Sequence, residues 1–186
     1  MGKGRSLFDV QDRIVFSATY ELPVGPGKRF LSSKRVLGQV LGNWQINTIA
    51  TLQSGFPYGV TVSGDVCNCG ASGQTATQVG NATSGFTQSR LEWFNTAGFV
   101  IPANGTWGTS GRNILSGPRQ DTVDVSLFKT VSIRERFRLQ IRPEFFNILN
   151  RANFGLPGST VGSPTYGVIT SAADARVIQL AIKLAF

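Results

Sequence analysis

Hydrophobic and polar residues alternate with a period of two over several stretches of the chain, most regularly over the last eleven residues, 176–186. Counting back from Phe186, every second position is large and apolar (Leu184, Ile182, Leu180, Ile178), while Ala185, Lys183, Ala181, Gln179 and Val177 are small or polar. Such alternation predicts a strand with one apolar face. Residues 12–22 repeat the pattern, with Ile14, Phe16, Ala18, Tyr20 and Leu22 on one face and Val15, Ser17, Thr19 and Glu21 on the other. A longer strand is predicted over 39–54, its faces being Val40, Gly42, Trp44, Ile46, Thr48, Ala50 and Leu52 against an amide-rich set that includes Gln45, Asn47 and Gln53. Residues 121–131 place Val123, Val125, Leu127 and Val131 together. Residues 136–149 return after a tight turn at 132–135, with Phe137, Leu139, Ile141 and Phe145 opposite Arg136, Arg138, Gln140, Arg142 and Glu144. Pro143 predicts a bulge, because proline donates nothing to a ladder, and the bulge would turn Phe146 and Ile148 to the apolar side.

Between these strands the connections alternate in length. Phe30, Leu31, Val36 and Leu37 suggest a short interfacial helical turn in the basic first connection. Two long stretches, 55–120 and 150–174, lose the periodicity and turn to Gly, Ser, Thr and Asn, apart from a short extension at 58–62. Within the first, 93–95 and 108–113 look like ordered punctuation. Long unstructured connections are unusual in compact domains, but outer-membrane barrels pair long outer loops with short periplasmic turns. With the C-terminus on the periplasmic side, both long loops fall outside. The expected fold is therefore all-β: an antiparallel up-and-down transmembrane barrel segment of about five long strands. Five strands are too few to close even the smallest barrels of about eight, so the segment is incomplete and both edges are open.

Composition narrows the alternatives. No run approaches the roughly 18 apolar residues of a membrane helix, and no signal-peptide-like apolar run follows the basic start, so the chain reads as part of a longer exported protein. A net charge of +8 would suit a soluble basic β-domain that binds polyanions. The charge gathers at Lys28, Arg29, Lys34 and Arg35 and at Arg134, Arg136, Arg138 and Arg142, with no recognised nucleic-acid motif, and nucleic acid is not an expected partner. An extracellular adhesive β-protein is the other alternative, favoured if the long loops are ordered and hold a ligand.

Candidate chemistry is sparse. The chain has no histidine, which removes the common triads and proton shuttles. Asp121 and Asp124, three apart on a strand, point to opposite faces rather than forming an acid/base pair. Gly25-Pro-Gly-Lys28 lacks the spacing of a phosphate loop and reads as a turn. Cys67 and Cys69 are separated by one residue, which strains a mutual disulfide, and lack the further ligands of a zinc site. No enzyme activity, cofactor or metal is expected.

Several stretches in order carry a resemblance: Asp12-Arg-Ile-Val-Phe-Ser-Ala-Thr-Tyr-Glu-Leu-Pro23, Gly42-Asn-Trp-Gln-Ile-Asn47 with Gln53-Ser-Gly-Phe-Pro57, Trp93-Phe-Asn-Thr-Ala97, Gly111-Arg-Asn-Ile-Leu115, Asp124-Val-Ser-Leu-Phe-Lys129, Glu144-Phe-Phe-Asn-Ile-Leu-Asn150 with Asn153-Phe154, and the closing strand. Together they resemble the C-terminal end of the barrel of TonB-dependent outer-membrane receptors, in particular the group with an N-terminal carboxypeptidase-regulatory-like domain. The resemblance implies a plugged barrel of about twenty-two strands that takes up scarce ligands with energy relayed from the inner membrane. Partners implied are the rest of the barrel and its plug, outer-membrane lipid, the barrel-assembly machinery, and an energy-coupling protein reached through other parts of the receptor. Ile178, Leu180, Ile182, Leu184 and Phe186 are then the assembly signal. Arg136, Arg138, Gln140, Arg142 and Glu144 are expected to face the lumen, and Tyr20, Trp44 and Phe137 to lie at the membrane interface.

Overall fold

A computed structural model describes residues 4–31, 36–133 and 137–185. In chain order the elements are β1 (Arg13–Glu21), α1 (Val36–Leu41), β2 (Trp44–Gln53), β3 (Pro57–Tyr58), β4 (Thr77–Gln78), β5 (Phe99–Val100), β6 (Leu115–Ser116), β7 (Gln120–Ser132), β8 (Arg138–Phe146) and β9 (Val177–Ala185). The chain divides into two compact units.

One unit is an antiparallel five-stranded sheet in the order β1-β2-β7-β8-β9, with β1 and β9 at its edges. Main-chain bonds from Leu22 N to Trp44 O and from Ser54 N to Asp12 O, each 2.9 Å, share one offset and set the β1–β2 register. Every junction of the meander links neighbours in sequence order. The short connections therefore join strands at one end of the sheet and the two long ones at the other.

Two local readings change. Residues 39–41 belong to α1 rather than to a strand, and β2 begins at Trp44. A Cβ on Gly25 would stand 2.7 Å from Gly42 Cα, so this connection packs backbone against backbone. Gly42 and Val40 are thus not on the strand face. Phe30 and Leu31 precede the helix instead of joining it. Lys28 N bonds Gly25 O at 3.0 Å, as expected of a turn.

Pro143 makes no bulge. The β8–β9 pairing runs one-to-one from Arg138↔Ala185 to Phe146↔Val177, and the β7–β8 pairs keep one register on either side of the proline. The missing donor is accommodated on the β7 side, where no pair is formed by Leu127 or Phe128 with β8. The facing is therefore not reset: Phe146 stays on the face of Arg142 and Glu144, and Ile148 lies beyond the strand in a turn. Arg134, Arg136 and Phe186 lie outside the described residues, as do Lys34 and Arg35.

The second unit gathers 53–120 and 153–173 with the segment before β1, so the two aperiodic stretches make one body. It contains the hydrophobic core: Tyr58, Val60, Val62, Ala76, Ala82, Phe94, Phe99 and Leu115. Val60 is 0% and Phe94 2% exposed. Phe94 meets Tyr58, Phe99 and Tyr166 edge-on, with ring centroids 5.4–5.9 Å apart, the preferred aromatic geometry. Two-residue ladders (β3–β6 and β4–β5) and single bonds such as Ala76 N to Val60 O supply its backbone pairing. The short extension at 58–62 is the centre of this core.

Candidate membrane-facing sheet and its closing strand

Register places the alternation of each strand on a common face. Reading across β9, β8 and β7, Leu184, Leu139 and Val131 align, then Ile182, Ile141 and Lys129, and at the far end Ile178, Phe145 and Val125. Leu180 stands opposite Pro143 between them. Toward β1, Leu22, Trp44, Ile46 and Leu127 line one shallow apolar groove. This apolar face is uncovered: Ile178, Leu180 and Ile182 are 63–67% exposed, and Ile14, Phe16 and Tyr20 57–64%. Burial of a large aliphatic or aromatic side chain is worth roughly 1.5–3 kcal/mol. Leaving the four apolar residues of β9 in water forgoes on the order of 10 kcal/mol, as much as the net stability of a whole domain. A lipid environment covers such a face without a protein partner.

The opposite face is polar and internally bonded. Asn47 Oδ1 accepts from Thr19 Oγ1 at 3.0 Å and from Gln45 Nε2 at 2.7 Å. Arg142 donates to Glu144 at 3.1 Å, and its guanidinium lies 4.4 Å from the Phe128 ring centre. Arg138 and Gln140 share this face by register, opposite Ala185 and Lys183. Near the short-connection end, Glu21, Gln45, Phe128, Thr130 and Ser132 line a polar cleft of about 300 Å³. The sheet is thus two-sided, amides and ion pairs against bare hydrocarbon, as in a barrel wall between a wet lumen and lipid.

Tyr20, Trp44 and Phe137 stand toward the same end of the sheet, at the C-terminal end of β1, the start of β2 and just before β8. Trp44 donates from its indole to Val40 O at 3.3 Å. Lys129 was not legible as a special residue, although its lone charge leaves a gap in the apolar run of 121–131. It is 5% exposed on the apolar side, donates to the Gly42 carbonyl, and lies 5.6 Å from the Trp44 ring centre. Asp121 and Asp124 are structural: Asp121 pairs with Arg151 at 2.7 Å, and Asp124 accepts from Asn147 N at 2.8 Å.

In the other unit Cys67 and Cys69 are joined in a disulfide, a pairing that the sequence alone left open. Asn68 between them adopts a left-handed φ of 54°, turning the chain so that the sulfurs meet. Asp65 accepts from Cys69 N at 3.1 Å, Gly70 N at 2.6 Å and Gln74 Nε2 at 2.8 Å. These bonds, Cys69 foremost, hold its carboxyl below the ordinary carboxylate range.

Residues 1–179 match the family described as outer membrane beta barrel domain. The chain belongs to that family. This places it in the outer membrane and accounts for the uncovered apolar face. No curated protein matches it, and no solved structure does. Among the described residues no helix is long and apolar enough to cross a membrane. The outer membrane beta barrel domain presents instead five strands of 9–13 residues, matching the roughly 9–11 that a tilted spanning strand needs.

Proposed function

We propose that this outer membrane beta barrel domain is a wall segment of a TonB-dependent receptor, contributing to uptake of a scarce ligand as part of the complete receptor. The observation that carries it is the two-faced sheet whose edges β1 and β9 are both open, since a membrane sheet tolerates no unpaired edge in lipid. The ordered series of stretches resembling TonB-dependent receptors supports the finer assignment. Further strands of the receptor then complete the wall on both edges, and a plug fills the lumen against Arg138, Gln140, Arg142 and Glu144. The long connections face outward. The segment is non-catalytic, and coupling to the inner membrane runs through other parts of the receptor.

β9 offers a full strand edge to the barrel-assembly machinery by β-augmentation, its apolar face and Phe186 forming the signal. Deleting Phe186 in the full-length parent is expected to lower its outer-membrane level. The receptor assignment is tested by heat-modifiable migration of the parent in outer-membrane fractions, combined with site-specific crosslinking to the energy-coupling protein. A heat-modifiable barrel that never crosslinks to that protein removes the TonB-dependent reading. A second reading, a surface adhesin, draws support from the separate core of the long connections; it predicts binding of cells to a surface without energy coupling.

A further inference from the structure

The shallow groove formed by Leu22, Leu41, Trp44, Ile46 and Leu127 has a volume of about 370 Å³ and no charged residue in its lining. It lies on the lipid-facing side of the sheet, at the short-connection end. The first connection closes it there: Leu41 is the last residue of α1, and Leu22 leads into a hairpin. Main-chain bonds from Phe30 N to Pro23 O (3.0 Å), Gly25 N to Phe30 O (2.9 Å) and Asn43 N to Val24 O (3.1 Å) tie this hairpin to itself and to the end of the helix. One folded piece thus stands at the mouth of the groove.

That piece is amphipathic. Phe30, Leu31, Val40 and Leu41 are 45–58% exposed, and from Leu22 to Asn43 the sequence carries four basic residues and no acidic one. Lys28 is spent on the polar side, paired with Glu21 at 2.8 Å. Arg29 is exposed, with its guanidinium 5.4 Å from the Phe30 ring centre, and among the described residues no carboxylate pairs with it. A cation left without an acid beside exposed apolar side chains suits a membrane surface, where the hydrocarbon enters the acyl region and the charge stays at headgroup level. Lys129, 5.6 Å from the Trp44 ring centre, adds a second positive charge on the same face.

We propose that this groove is a site for an anionic glycerophospholipid, one acyl chain lying against Trp44 and Ile46 and the phosphate meeting Arg29. Guanidinium binds phosphate through two parallel hydrogen bonds. A zwitterionic lipid brings its own cation to the same place and gains less. The placement in the inner leaflet rests on the outward direction proposed for the long connections, which makes phospholipid rather than lipid A the occupant. Neither the groove nor its cation depends on energy coupling.

The test uses the parent protein in phosphatidylcholine vesicles that carry, at equal mole fraction, either phosphatidylglycerol or phosphatidylcholine brominated in the acyl chains. Bromine quenches indole emission on contact, and the part of the signal due to Trp44 is the part lost in Trp44→Phe. Phosphatidylglycerol is expected to reach half-maximal quenching of Trp44 at about fivefold lower mole fraction than phosphatidylcholine. Arg29→Gln should remove most of that preference, while Arg90→Gln, an equal loss of charge at an exposed residue of the other unit, should leave it intact. Heat-modifiable migration shows that each variant is folded, and the comparison of the two lipids in the unaltered protein needs no variant. Equal quenching by both lipids, no quenching of Trp44, or a preference undiminished in Arg29→Gln would overturn the proposal. So would unbrominated lipid A displacing the brominated lipid better than unbrominated phosphatidylglycerol does. Because both leaflets of these vesicles are alike, the outcome is separate from the crosslinking that tests the receptor assignment.

Discussion

Pro143 stands directly opposite Leu180, and the ladder between β8 and β9 passes through that pair without a break. A proline is thereby held inside a sheet, its missing donor turned toward β7. The closing strand keeps all nine of its pairings and presents Leu180 mid-strand at 67% exposure.

Leu180→Arg places a charge in the middle of the apolar face, where lipid penalises it by ~2–4 kcal/mol. The expected result is a marked loss of heat-modifiable barrel from the outer-membrane fraction of the parent protein. Gln179→Arg, one residue away on the polar face, should assemble normally. Equal loss in both would contradict the assigned faces.

Lys129→Met removes a charged donor from the Gly42 carbonyl and a cation from the Trp44 ring. Hydrogen bonds to charged groups contribute ~1.5–3 kcal/mol and cation–π contacts ~0.5–2 kcal/mol. A destabilisation of about 2 kcal/mol is expected, seen as a lower urea midpoint for unfolding from lipid vesicles. Lys129→Arg should recover part of it.

Phe94→Ala empties the middle of the aromatic cluster that joins Tyr58, Phe99 and Tyr166. Removal of a buried phenyl costs ~3–5 kcal/mol. The loss should fall on the unit formed by the long connections, raising its cleavage by added protease, while the sheet keeps its heat-modifiable migration. Loss of migration as well would mean that the two units fold as one.

Asp65 gives a pH signature. Its carboxyl is depressed by N–H donors from Cys69 and Gly70 and by Gln74, so its stabilising effect is complete above the ordinary aspartate value of about 3.9. That effect is lost only as pH falls through the lower folded value. Amide exchange at Cys69 and Gly70, measured by mass spectrometry after allowing for the intrinsic pH dependence, should stay slow at neutral pH and lose protection below about pH 3.9. Asp65→Asn should expose both amides at neutral pH.

The sequence by itself determined the five spanning strands, the polarity of their two faces and the alternation of short and long connections. Each rests on a property that is local: a period of two follows from the pleat of a single chain, and composition marks where it lapses. Ile178 to Leu184 needed no partner to be read. Tertiary structure decided what depends on residues far apart. The sequence around Pro143 suggested a bulge, because a proline taken alone offers no way to know which neighbouring strand loses its donor. Lys129 gave no sign of its partners until Gly42, in the connection before β2, and Trp44, at the start of β2, were brought to it. Above all, the stretches without periodicity hold the core. Tyr58 and Tyr166 are 108 residues apart, with Phe94 and Phe99 between them, and only folding assembles their rings. A sheet that faces lipid has no need to bury its apolar residues in protein, so the dry interior of this chain formed where alternation was absent.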